Sequence, residues 1–281
     1  MTCSRIGFLI VCFSGFRLSN ACGVLWFLHV PKTGGSSVNR ILKNVCTHQI
    51  DVGCWNWQSS KCLRYNWQSI LPELKEAISN RKKGEINCFR HHHNGPFMVD
   101  IIHHIDAWRK TANQNGCQFV LATMFREPIK RLLSEIEYNM PRTFVSQHVH
   151  SPANINVTMF MEKHSNAQIR YFLFNHWRRI TAYQGQTSRN GLPIVLNLHD
   201  RNDVPWVDIA LNLTKHFDII GFLDNMTQFI NSISDRFKVA KQKVLVENKS
   251  KKYPALEAKW LSAISASSFD IDVQFWRKLT D

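Results

Sequence analysis

The chain has 281 residues, enough for one large domain, and 44% of them are hydrophobic, with 18 Phe and 9 Trp; a substantial core forms and global disorder is excluded. Its 35 Lys and Arg against 21 Asp and Glu give a formal charge of +14. Such a surface attracts polyanions, whether nucleic acid, anionic lipid or acidic polysaccharide, and does not choose among them.

The first residues narrow the choice. Met1–Arg5 is positively charged, Ile6–Phe16 is almost wholly apolar, and Ser19-Asn20-Ala21 offers small residues for a cut, which reads as a secretory signal. The apolar run is about 11 residues, short of the roughly 20 that span a bilayer, so a cleaved signal over residues 1–21 is favoured over a short signal anchor. One domain then occupies residues 22–281. Acceptor tripeptides for N-glycosylation begin at Asn156, Asn212, Asn225 and Asn248. Cleavage would leave Cys22, Cys46, Cys54, Cys62, Cys88 and Cys117, an even set that an oxidising lumen can pair. No Cys-x-x-Cys pair occurs, so the spacing is not that of a zinc site.

Val24 to Val30 is an apolar, β-leaning run that stops at Pro31. Pro31-Lys32-Thr33-Gly34-Gly35-Ser36-Ser37 follows, and Val38, Ile41 and Leu42 resume at helical spacing. The stretch is strand, tight loop, helix. The glycines let the backbone approach a ligand, Ser36 or Ser37 is expected to cap the helix, and the helix N-terminus favours an anion. With Lys32 as a fixed cation and three hydroxyls as donors, the loop suits a phosphate or sulfate. It is not a Walker A sequence, in which the Lys follows the last Gly.

Cys46–Trp67 reads as an irregular, Trp-rich surface insert in which a disulfide could replace missing core. Ser69–Arg81 follows as a short helix with Pro72 in its first turn. Ile86–His91 is a strand running into a turn, Met98–Asn113 a helix, and Gln118–Phe125 the clearest buried strand. At the end of the first of these strands stand three histidines. Alternation along extended chain puts His91 and His93 on one face and His92 on the other. A metal site is disfavoured there, since only two face the same way and no carboxylate stands at ligand spacing. His103 and His104 belong on a helix surface.

Arg126-Glu-Pro-Ile-Lys-Arg131-Leu-Leu-Ser134 begins where Gln118–Phe125 stops. Pro128 opens a helix, and Ile129, Leu132, Leu133 and Ile136 mark its buried face. Ligands bind at strand ends of open parallel sheets, so a guanidinium at Arg126 with the Ser134 hydroxyl makes a pocket for a dianionic phosphate.

Together, Pro31-Lys32-Thr33-Gly34-Gly35-Ser36-Ser37 and the Arg-acid-Pro-x-x-Arg-x-x-Ser pattern from Arg126 to Ser134 resemble the two phosphate sites of sulfotransferases that use 3′-phosphoadenosine 5′-phosphosulfate (PAPS). The resemblance is closest to the heparan sulfate 6-O-sulfotransferases, with Leu133-Ser134-Glu135 in agreement and Glu127 in place of the usual Asp. Asn166-Ala-Gln168-Ile-Arg170, Phe217–Leu223 leading to a helix over Met226–Phe237, and Asn248-Lys-Ser250 extend it from about Val24 to the C-terminus. It implies a three-layer α/β, P-loop-like fold whose central parallel sheet includes Val24–Val30, Ile86–His91, Gln118–Phe125 and Phe217–Gly221. The implied activity is metal-free, in-line transfer of the sulfuryl group from PAPS to a sugar hydroxyl of a glycosaminoglycan-like acceptor, in the Golgi lumen or at its membrane. Against the 2-O-sulfotransferase pattern Phe-Tyr-His-Gly-His, the base falls on His93, with His91 as a second active-site histidine. Lys32 is then expected at the bridging oxygen, Thr33, Gly34, Gly35, Ser36 and Ser37 around the 5′-phosphosulfate, Arg126 and Ser134 on the 3′-phosphate, and Ser250 over the nucleotide. A basic surface including Arg90, Arg170, Lys249, Lys251 and Lys252 would attract an acidic glycan. The alternatives are a P-loop phosphoryl-transfer enzyme, for which neither a Mg²⁺ ligand after the glycines nor a Walker B acid is evident, and a non-catalytic acidic-glycan-binding protein. No pattern matches a nucleic-acid module.

Overall fold

The computed structural model describes residues 22–52, 67–79, 84–92, 98–146, 164, 166–174, 198–244 and 270–281. Residues 1–21 and the segment carrying Ser250 lie outside these, as does His93. Among the described residues no helix is long and apolar enough to cross a membrane.

Five strands form one sheet: β1 (Gly23–Leu28), β2 (His48–Val52), β3 (Ile86–His91), β4 (Gln118–Phe125) and β5 (Ile219–Phe222). Their order is β2-β3-β1-β4-β5 and every pairing is parallel. Parallel strands need long crossovers, which the helices supply: α1 (Gly35–Val45), α2 (Trp67–Ser79), α3 (Met98–Gln114), α4 (Pro128–Ser146), α5 (Ala167–Phe174), α6 (Trp206–Thr214), α7 (Met226–Phe237) and α8 (Asp270–Thr280). The expected parallel α/β sheet is thus present, flanked by helices.

All of β1 is buried because it is covered on both sides, which is why it reads as an unbroken apolar run rather than an alternating one. Val24, Trp26 and Leu28 point into one core with Phe89, Trp108, Phe172 and Phe275; Leu25 and Phe27 point into the other with Val38, Ile41, Phe229 and Ile233. Trp26 stacks on Phe89 and on Trp108 at 5.6 and 5.9 Å between ring centroids.

Three local expectations are corrected. The insert after Cys46 is not irregular throughout: His48–Val52 pairs with β3 as the sheet's edge strand. It hides from an apolar pattern because its side chains are mostly half-buried or exposed and its cross-strand contact is ionic, Asp51 meeting Arg90 at 2.6–2.7 Å. Cys46 does not bridge within the insert but to Cys88 in β3, while Cys22 bridges to Cys117; Cys54 and Cys62 lie outside the described residues. Each bridge closes a long loop, with sequence separations of 42 and 95, which in a chain-entropy treatment stabilises by on the order of 4 kcal/mol. Arg170 is not on a basic surface. It is 3% exposed on α5, where burial lowers its pKa.

Candidate active site

The strand order reverses at β1, which has β3 on one side and β4 on the other. A crevice at the carboxyl ends of the strands is expected at such a switch point. Three segments end there: Val30–Gly34 after β1, His91 and His92 at the end of β3, and Arg126 after β4. The register aligns them, since Leu28 pairs with His91 on one side and with Thr123 on the other.

The loop after β1 takes its shape from its own backbone. Lys32 has φ 67 and Gly34 φ 92, two left-handed residues in three. At Gly34 a side chain would be strained and its Cβ would lie 2.6 Å from Leu223 Cδ1 and Met226 Cε. Gly35 is needed for a different reason, because a Cβ there would fall inside the ring of His29. The Thr33 hydroxyl donates to the Val30 carbonyl at 2.7 Å and closes the turn. The serines do not cap α1. Gly34 is its N-cap, without a side-chain hydrogen bond, since the helix already begins at Gly35 and both serines fall within its first turn. Its first Val38 N–H reaches the Gly34 carbonyl at 3.1 Å, and the turn's dipole end faces the crevice without a side-chain cap.

Lys32 and Arg126 meet here. One nitrogen of the Arg126 guanidinium, Nη1, donates to the Lys32 carbonyl at 3.3 Å, joining residues 94 positions apart. Arg126 Nε is buried with no hydrogen-bond partner among the described residues. The Lys32 ammonium sits 3.8 Å from the ring centroid of Tyr138, a side chain on α4 that is 53% exposed. Burial lowers the Lys32 pKa to about 8; Glu135 opposes that shift, and Arg126 and Arg131 add to it. Burial lowers Arg126 as well, against Asp224 and Glu137. Ser134 is half-buried on α4, between Arg131 and Glu135 along the chain. Those two are buried, 3.7 Å apart, with Arg131 Nη2 donating to the His164 carbonyl at 3.2 Å.

The histidines divide as the strand period requires. His91 is fully buried over the first core, and its Nδ1 accepts the Trp26 indole N–H at 3.3 Å. An indole can only donate, so Nδ1 holds a lone pair and the neutral ring carries its proton on Nε2. His92 faces the other way, its ring centroid 4.3 Å from that of His29. His29 continues the inward alternation of Leu25 and Phe27, a signal that the sequence carried and that the motif reading passed over. His93 follows directly but lies outside the described residues. Among those residues no group of three or more His, Cys, Asp or Glu could hold a metal ion.

Two residues distant in sequence support Arg126: Gln168, which lies in a stretch that shares the family resemblance, and Asp272, which carries no local signal. Gln168 Oε1 accepts the Arg126 backbone N–H at 2.9 Å, and the Asp272 carboxylate accepts the N–H groups of Gln168 and Ile169 at 3.0 and 2.9 Å.

The profile of the Sulfotransferase family matches residues 16–268, nine-tenths of the chain. No curated protein matches the sequence. Among solved structures, a sulfotransferase from Alicyclobacillus acidocaldarius is 11% identical, over 89% of this chain and 94% of its own, with a TM-score of 0.37. Mouse sulfotransferase SULT7A1 complexed with PAP is 11% identical, over 90% of this chain and 82% of its own, with a TM-score of 0.31.

Proposed function

This chain belongs to the sulfotransferase family, and from that premise we propose that it moves the sulfuryl group of PAPS to a sugar hydroxyl of a glycosaminoglycan-like polysaccharide, in the manner of the heparan sulfate 6-O enzymes. The observation that carries the reading is the meeting of Lys32 and Arg126. Two separate motifs converge at the switch point, the Arg126 guanidinium on the Lys32 carbonyl, beside a helix start that no described side chain caps.

The residues fit the donor. Arg126 keeps a buried Nε without a described partner, and Lys32 holds its ammonium on the neutral Tyr138 ring, with no ion pair among the described residues. An anion suits both better than either suits the other. When bound, PAPS supplies a sulfuryl group already activated by its bond to phosphate. Lys32 and the amides at the start of α1 would hold the 5′-phosphosulfate, with Lys32 set against the charge that develops on the bridging oxygen. Arg126 and Ser134 would bind the 3′-phosphate, and Ser250 would lie over the nucleotide.

His93 is the base in this reading and takes the proton of the acceptor hydroxyl. The neighbouring geometry supports the choice. His91 spends its Nδ1 lone pair on Trp26 and carries a proton on Nε2, so its part is to fix the strand end. The formal +14 charge favours an acidic acceptor, and the signal-like N-terminus supports a secretory-pathway location, in the Golgi lumen, at its membrane or after secretion. The test is a transfer assay with labelled PAPS on a panel of desulfated glycosaminoglycans and neutral polysaccharides. Label on a 6-hydroxyl of a heparan backbone is the expected result; transfer only to small phenols or amines would overturn the acceptor.

A further inference from the structure

We propose that Asp272, on the C-terminal helix and beyond the span matched by the family profile, is a positioning residue that sets the Arg126 end of the anion site. The inference rests on reading Arg126 as a nucleotide-binding residue.

Arg126 follows the last residue of β4, where the ladder can no longer hold its backbone. Its N–H is held instead by Gln168 Oε1 at 2.9 Å, and its guanidinium then reaches the Lys32 carbonyl. Gln168 is fully buried in the first turn of α5, a helix of 8 residues that is marginal without outside support. The support comes from α8. Both oxygens of Asp272 accept amides from that first turn, those of Gln168 and Ile169, which is the service of an N-cap performed by a residue more than 100 positions away. Asn166 returns the bond: its Oδ1 accepts the Asp272 N–H at 3.0 Å from a left-handed backbone at φ 45. The two helix starts cap each other.

A second contact ties the same helix to the same place. Phe275, one turn along α8 and fully buried, meets Phe125 edge-on at 5.2 Å, and Phe125 is the residue before Arg126. Arg126 is therefore gripped from both sides by α8, through Phe125 by packing and through Gln168 by hydrogen bonds. Asp272 is 1% exposed, and a carboxylate is kept there at a desolvation cost that raises its pKa. Two buried amides would lose their acceptors if it were removed, and the Gln168 side chain would lose its origin.

The test is calorimetric binding of adenosine 3′,5′-bisphosphate to the full chain carrying Asp272→Asn. That substitution keeps shape and one acceptor but turns a donor toward an amide N–H. The expected result is a roughly tenfold rise in Kd and in the KM for PAPS, with a smaller change in kcat. In an Arg126→Ala background Asp272→Asn should add little to the loss, because the link it acts through is gone. A merely structural role predicts a lower active fraction with unchanged Kd, and an effect that persists undiminished in that background; either overturns the inference. If Asp272→Asn does not accumulate folded, Gln168→Met removes only the acceptor of the Arg126 N–H, and unchanged nucleotide affinity there overturns it equally. Failure of the underlying reading looks different: Arg126→Ala itself would then bind the bisphosphate as tightly as the wild type.

Discussion

The two ends of the proposed anion site are built in opposite ways. The loop at Val30–Ser37 is contiguous: its turn, its left-handed residues and its helix start all come from eight neighbouring residues and their own backbone. The Arg126 end is assembled, since one guanidinium is set by Gln168 and, through it, by Asp272, from segments 42 and 104 positions apart. A contiguous site fails when one of its own residues changes. An assembled site fails by degrees, at any link of its chain.

The sharpest way to test that difference is at Lys32. Lys32→Ala removes the fixed cation of the contiguous loop, which the proposed mechanism sets against the developing charge, so turnover should vanish to background in the transfer assay while the far-UV spectrum is unchanged. Turnover within tenfold of wild type would remove Lys32 from the chemistry.

Next in size is the proposed base. His93→Ala should lower the chemical rate by roughly two to four orders of magnitude, the usual worth of a general base, and leave the affinity for adenosine 3′,5′-bisphosphate nearly intact. His91→Ala should act differently. It leaves the buried Trp26 indole N–H without its acceptor, so it should lower thermal stability as well as rate. A rate loss at His91 without loss of stability, together with a fully active His93→Ala, would move the base by two residues, one strand period.

These comparisons also explain what could be read from sequence. The parallel strands β1 and β4 were legible because burial on both faces forces continuous apolar runs, and the loop because its chemistry is local; β3, broken by Asn87 and Arg90, and β5, whose burial alternates, carry a weaker signal, and β5 is marked mainly by the family resemblance. β2 was not legible, since an edge strand that pairs through Asp51 and Arg90 carries no apolar period. Arg126 was visible as half a site: its position after a buried strand marked it, but Gln168 and Asp272 could not be joined to it without the fold. His29 stood in plain alternation with Leu25 and Phe27. What hid its role is that its partner, Gly35, was already explained as a flexible residue, whereas the structure requires it there for space.

The assembled end should break more gently. Arg126→Ala is expected to weaken adenosine 3′,5′-bisphosphate by roughly ten- to a hundredfold by calorimetry, the worth of one charge-assisted contact, with a smaller effect on kcat at saturating PAPS. Unchanged affinity would take Arg126 out of the nucleotide site.

The smallest expected effect separates the ends by pH. Burial lowers Lys32 to about 8 from 10.5, so in the ligand-free protein the ammonium is charged below pH 8 and increasingly neutral above it. A bound anion favours the charged form and raises that pKa, so binding takes up a proton where the free amine has lost one. Between about pH 7 and 10, where the bisphosphate is fully ionised, its affinity should therefore be level up to about pH 7.5 and then fall as pH rises, by at most roughly tenfold per unit for a single proton. Arg126 stays charged throughout this window and contributes no slope. Lys32→Arg should flatten the profile, whatever it does to the absolute affinity, because a guanidinium does not titrate here. Stability of the ligand-free protein should move the other way. Between pH 8 and 10.5 the unfolded chain binds more protons at this position than the folded one, so burial of the charged ammonium ceases to cost anything and stability from Lys32 rises with pH. Opposite trends in ligand affinity and ligand-free stability over one window, both lost in Lys32→Arg, would assign the titration to Lys32; a fall in affinity that survives in Lys32→Arg would assign it to another group.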